Sequence, residues 1–187
     1  MLKKIIKWIT SDKNPEVQSL NPQYVEAYYN RGHTKYGLED YRGAIEDYTK
    51  AITLNPQYAD VYYSRGNAKR NLEDYLGAIE DYSKAIALNP QDAEAYNNRG
   101  SAKSDLKDYL GAIEDYTKAI ALNPQDAPAY NNRGNAKAGL EDYLGAIEDY
   151  NKAIALNPQD ADLYNNRGVA KYYLKDSRGS IEDYNEA

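Results

Sequence analysis

Asp108-Tyr109-Leu110-Gly111-Ala112-Ile113-Glu114-Asp115-Tyr116 decides the fold, because the phrase does not stand alone. The pattern Asp-Tyr-x-Gly-Ala-Ile-Glu-Asp-Tyr also fills residues 40–48, 74–82 and 142–150. A weaker copy at 176–184 has Ser177 and Ser180 in place of Tyr and Ala. Successive copies lie 34 residues apart, and an Arg-Gly pair keeps the same step at Arg31-Gly32, Arg65-Gly66, Arg99-Gly100, Arg133-Gly134 and Arg167-Gly168. A fixed period of this size builds a stacked array, in which each unit buries its apolar face only against its neighbours. Such an array is a surface for holding something rather than a pocket for chemistry.

Residues 93–126 make one unit. Ala95, Tyr96, Gly100, Ala102 and Leu106 fall near helical spacing, which predicts an amphipathic helix over 93–106. Asp92 stands at the N-cap position, and Glu94 suits the positive end of the helix. Lys107-Asp108 makes the turn, with Asp108 capping a second helix marked by Ala112, Ile113, Tyr116, Ala119, Ile120 and Leu122. Asn123-Pro124 ends that helix, since the residue before proline is pushed out of the helical region. Gly100 and Ala112 let the two backbones approach, while Tyr96, Leu106, Tyr109 and Tyr116 fill the wedges. A glycine inside a helix costs roughly 0.5–1 kcal/mol relative to alanine. Its return in every unit therefore marks a place where room matters more than propensity.

Tyr96, Gly100, Tyr109, Ala112, Tyr116, Ala119 and Pro124 together resemble the tetratricopeptide repeat pattern, and the match returns in every unit. The resemblance covers residues 25–187: full repeats at 25–58, 59–92, 93–126 and 127–160, and a shortened one at 161–187. Residues 1–24 precede them as an N-terminal amphipathic helix and a degenerate half-repeat. The resemblance implies an all-α fold, a right-handed α-α superhelical solenoid of antiparallel helix pairs, with first helices lining a concave groove. The chain departs from the family at Arg99 and Lys103, and at their equivalents in every repeat, where Leu and an aromatic are usual. Two cations cannot rest bare against a core. Glu114 and Asp115 are the acids at hand, which predicts cross-helix ion pairs.

The resemblance also places the groove-facing side chains. The fifth and sixth places of the repeats hold Asn30, Asn97-Asn98, Asn131-Asn132 and Asn165-Asn166, and farther along come Asn67 and Asn135. Asparagine is a poor helix former, so its recurrence on one face needs a reason. Its amide donates and accepts at once and can serve an extended peptide backbone, a ladder similar to that in the repeat domain of O-linked N-acetylglucosamine transferase. Alternatively, Asn only keeps a solvated groove uncharged. The second place is acidic in four repeats (Glu26, Asp60, Glu94, Asp162), which argues against a clamp for C-terminal carboxylates and for a neutral or basic segment. The reading is thus an adaptor or assembly scaffold that binds an extended peptide. The competing reading is a self-assembling structural repeat protein that stacks end to end without a groove ligand.

Composition narrows the field further. The net charge of −6 disfavours DNA or RNA as a partner. There is no Cys, and His33 is the only histidine, so no metal site and no cofactor is expected. Adjacent helical residues such as Glu114 and Asp115 point roughly 100° apart and cannot converge on one substrate. No set of nucleophile, base and oxyanion donor can be assembled, so the chain does not read as an enzyme. With 21 Tyr and no Phe, buried hydroxyls need partners, and the core must be laced with polar groups. Leu2, Ile5, Ile6 and Ile9 share a helical face opposite Lys3, Lys4 and Lys7; residues 1–10 either cap the first repeat or meet a membrane surface. Lys7 interrupts the apolar centre that a secretory signal would have, so the chain reads as cytoplasmic. At the other end Ile181 and Tyr184 are expected to be partly uncovered, a face for self-association through the last repeat.

Overall fold

A computed structural model describes residues 22–187. The described residues form ten helices and no strand: α1 (Pro22–Gly37), α2 (Tyr41–Leu54), α3 (Ala59–Asn71), α4 (Tyr75–Leu88), α5 (Ala93–Asp105), α6 (Tyr109–Leu122), α7 (Ala127–Gly139), α8 (Tyr143–Leu156), α9 (Ala161–Tyr173) and α10 (Ser177–Glu186). They pair as antiparallel hairpins, one per repeat, which is the all-α architecture the period predicts. The chain divides after Pro90 into two compact units, one carrying α1–α4 and the other α5–α10. Within each unit a second helix packs on its own partner and on the next first helix: α2 on α3, α6 on α7, α8 on α9. The amphipathic segment over residues 1–10, with its cap-or-membrane alternatives, lies outside the described residues.

The local chemistry explains where helices start and stop. Asp92 accepts a hydrogen bond from the Ala95 amide at 3.0 Å, and Asp108 accepts one from Gly111 at 3.1 Å. The latter cap recurs at Asp40, Asp74, Asp142 and Asp176. It also explains Gly111, because a Cβ there would run into the Asp108 carboxylate. The turn between α5 and α6 is a Schellman motif: the Lys107 amide donates to the Ser104 carbonyl at 2.8 Å and the Asp108 amide to Lys103 at 2.9 Å. Lys107 takes φ of 62°, and Glu39, Glu73, Glu141 and Lys175 share the left-handed conformation, where glycine is the usual occupant.

Gly100 makes room as expected, although chiefly for a ring. A Cβ there would come within 2.8 Å of Tyr116 and 3.2 Å of the Ala112 carbonyl. Tyr116 is buried against Ala112 and Ala136, flanked by Tyr109 and Ile113, while Tyr96 packs on Ala119, Ile120 and Ala129. Leu106 does not join them. It stands at the helix C-cap and stays exposed, because the motif that reverses the chain turns that position outward.

Candidate functional site

Each repeat carries the same buried ion triad. Asp115 is 5% exposed and accepts from Arg99 Nε at 2.9 Å, Arg99 Nη2 at 2.6 Å and Lys103 Nζ at 2.8 Å. Lys103 also donates to the Gly111 carbonyl at 3.3 Å, so one lysine ties the acid to the first turn of α6. Of the two acids the sequence offered, Asp115 alone is engaged in this way; Glu114 faces solvent. The arrangement repeats at Arg31/Lys35/Asp47, Arg65/Lys69/Asp81, Arg133/Lys137/Asp149 and Arg167/Lys171/Asp183. The arginine reaches back as well: Arg133 Nη1 donates to Thr117 at 3.1 Å and Arg167 Nη1 to Asn151 at 2.6 Å, each on the preceding second helix. The Arg31 bonds, opposed by burial and reinforced by Lys35, hold the Asp47 carboxyl down at about 2. Burial pushes Asp183 upward, yet Arg167 and Lys171 together outweigh it and its pKa falls below the ordinary value. These charges build the scaffold, while the asparagines give the first helices a polar face.

That face is ordered by its own amides. Asn132 Nδ2 donates to Asn97 Oδ1 at 3.2 Å, and Asn166 Nδ2 donates to Asn131 Oδ1 at 3.0 Å. The sixth place of one repeat thus fastens to the fifth place of the one before, along α5, α7 and α9. Asn67 and Asn135 have a second duty, each accepting from a tyrosine hydroxyl of its own second helix: Tyr82 at 2.7 Å and Tyr150 at 2.8 Å. Ser101 takes that place for Tyr116 at 3.3 Å. These are the polar partners that the tyrosine-rich composition requires, and the i, i+15 spacing is the signal that identifies them. Asn98 lies half-buried on α5, Asn165 exposed on α9, and Asn30 exposed on α1 in the other unit.

His33 occupies the place that Asn67 and Asn135 fill elsewhere, and the difference has a consequence. The Tyr48 hydroxyl, fully buried, has no hydrogen-bond partner. Ser64 is near, but its hydroxyl lies 3.4 Å from His33 Nε2. Burial, then Tyr29 and Tyr36, push the Tyr48 pKa well above that of an ordinary phenol. The nearby Ser64 hydroxyl, which does not meet hydrogen-bond geometry, exerts a weaker downward pull. The exposed His33 ring meets Tyr29 edge-on at 4.7 Å.

Within the second unit an open pocket of about 300 Å³ is bounded by Asn135 of α7, Tyr143 and Tyr150 of α8, and Asn166, Val169 and Tyr173 of α9. Tyr143 and Tyr173 stack with centroids 4.8 Å apart and planes 7° from parallel. Sequence reasoning did not find this pocket. Its signal is Tyr173, at a place where the other repeats hold Gly37, Asn71, Asp105 and Gly139. At the end of the array Ile181 and Tyr184 are exposed. Among the described residues no cluster of His, Asp and Glu is placed to hold a metal ion, and no helix is long and apolar enough to cross a membrane.

Models of the tetratricopeptide repeat match residues 25–58 and 93–126, 66–106 and 134–175, and 115–148. The chain belongs to the tetratricopeptide repeat family. Among solved structures it is similar to MamA, at 26% identity and a TM-score of 0.83, over 89% of this chain and 91% of that one. YrrB, described as a TPR protein with an unusual peptide-binding site, shares the fold at 23% identity, a TM-score of 0.74 and coverage of 85% and 82%. The first TPR module of Spaghetti (RPAP3), bound to the HSP90 peptide SRMEEVD, is 26% identical with a TM-score of 0.63, over 65% of this chain and 96% of that one. Comparison with curated proteins gives no match. A protein-interaction scaffold is the role this family membership and these neighbours support.

Proposed function

We propose that this scaffold holds an extended, neutral or basic peptide along the asparagine-bearing face of its first helices. The observation that carries the reading is the pair of bonds Asn132–Asn97 and Asn166–Asn131. An amide anchored at one end has already lost its rotamer freedom, and its other end meets a ligand at lower entropic cost. Each anchored pair keeps one donor end and one acceptor end in reserve, the complement of a peptide backbone. The charges select the ligand. With Glu94 and Asp162 on the first helices and 17 acidic against 11 basic side chains over residues 91–187, an acidic segment such as SRMEEVD would meet little attraction.

Fluorescence anisotropy with labelled SRMEEVD and a charge-reversed SRMKKVK tests the preference directly. The basic peptide should bind more tightly, and Asn132→Ala with Asn166→Ala should weaken it about five-fold for each hydrogen bond lost, at roughly 1 kcal/mol apiece. Tighter binding of the acidic peptide, or an affinity untouched by both substitutions, overturns the reading.

A further inference from the structure

The pocket between α7, α8 and α9 has a chemistry more specific than the face around it. We propose that it is the seat for one arginine side chain of the bound segment, an inference that rests on the peptide-binding reading above.

The first ground is shape. One repeat earlier, Gly139 stands where Tyr173 stands, and the Tyr109 ring lies so close that a Cβ on Gly139 would come within 2.8 Å of it. At the next boundary the tyrosine at the same place, Tyr143, is instead held parallel against Tyr173, and Tyr172 meets Tyr173 edge-on at 5.8 Å. The result is a fixed aromatic wall beside an open space, with Val169 and the Tyr150 ring completing it.

The second ground is the polar inventory. Asn135 Oδ1 is taken by Tyr150, and Asn166 Nδ2 is given to Asn131. By the same count Asn166 keeps its oxygen for the pocket and Asn135 its amide nitrogen, one acceptor beside one donor. No cation lines the space, so a carboxylate entering it would find no counter-charge.

The third ground is charge. Residues 91–187 hold 17 acidic and 11 basic side chains. Six of those bases sit on Asp115, Asp149 and Asp183, which leaves 14 acids and 5 bases outside the triads and a net charge of −6 over the segment as a whole. A guanidinium fits all three conditions. It is planar, stacks on aromatic faces, carries five donors and is more weakly hydrated than an ammonium. Lysine meets the charge condition but loses more hydration on entry.

The test uses the whole chain, with capped Gly-Ser peptides carrying a single central Arg, Lys, Gln, Phe or Glu, followed by NMR. The Arg peptide should move the side-chain amide signals of Asn135 and Asn166 and the methyls of Val169 saturably, and more tightly than the other four. Tyr173→Gly should weaken it about three-fold or more, and Tyr173→Phe should preserve it, since the ring face carries the interaction. Tyr173 is 55% exposed, so both variants should keep wild-type helicity by circular dichroism. A Phe or Gln peptide that binds as well as Arg, or a Tyr173→Gly variant that binds unchanged, overturns the pocket assignment. Longer peptides separate this failure from that of the wider reading: shifts at Asn97 and Asn132 with none at Val169 sink the pocket alone, whereas no shift at either sinks both.

Discussion

Arg133→Ala removes the centre of one triad, and the structure sets what this should cost. The guanidinium is 17% exposed and makes three bonds: Nε and Nη2 to Asp149 at 2.9 and 2.7 Å, and Nη1 to Thr117 of the preceding repeat. Breaking a buried pair outright costs about 3–5 kcal/mol, and an exposed pair is worth roughly 0–1 kcal/mol. Asp149 would keep Lys137 at 2.8 Å, so the loss should fall between these limits, at about 2–3 kcal/mol. Because repeats are stabilised through their neighbours, this interior loss should appear in the global transition. Urea denaturation followed by circular dichroism would read it as a lower midpoint with little change in slope. Two controls sharpen the test. Arg31 makes the same bonds to Asp47 but is 55% exposed, so Arg31→Ala should cost only about 1 kcal/mol, water replacing the lost partner. Arg133→Met combined with Lys137→Met and Asp149→Leu removes all three charges of the triad and should recover at least half of the loss. A wild-type midpoint for Arg133→Ala, or equal costs at Arg31 and Arg133, would refute the assignment of these triads as buried supports.

His33→Asn gives the Tyr48 hydroxyl the partner that Tyr82 and Tyr150 already have, and should stabilise the first unit by about 1 kcal/mol in thermal or urea melts; a lower midpoint would contradict that. Lys107→Gly relieves a non-glycine residue at φ of 62° and should add about 0.5–1 kcal/mol despite the greater freedom of the unfolded chain. No gain there would mean that the turn carries no strain worth relieving. Asp47 is held at about 2, below the ordinary 3.8, so it stabilises the fold above pH 4 and loses that contribution, at most about 2 kcal/mol, as pH falls toward 2. Asp183 follows the same sign. Urea midpoints at pH 5 and pH 2.5 should therefore differ, and Asp47→Asn should narrow the difference.

Much of the fold is written at single positions. Asp92 and Asp108 mark helix starts because a short acid before an apolar period has one natural role, and the structure uses both as caps. Pro124 and Gly100 are equally plain, one as a stop and one as a space. The reversal at Lys107 was not legible, because Lys and Glu carry no sign of a left-handed backbone; only the hydrogen bonds to Ser104 and Lys103 reveal it. The same gap separates residue from role on the candidate face. The fifth and sixth places identified Asn97, Asn132, Asn131 and Asn166, but their bonding to one another depends on how successive first helices lie. The pocket depends on Tyr143 turning toward Tyr173, a choice of ring orientation that a repeat pattern cannot record.

Selection from a random library of extended peptides tests the central claim most directly, because it presumes no partner. The whole chain and its Asn132→Ala/Asn166→Ala variant would be panned in parallel. Enrichment of uncharged or arginine-containing segments by the former, with loss of enrichment by the latter, is the result the structure predicts. Enrichment of acidic C-terminal sequences, or the same peptides recovered on both proteins, would contradict it.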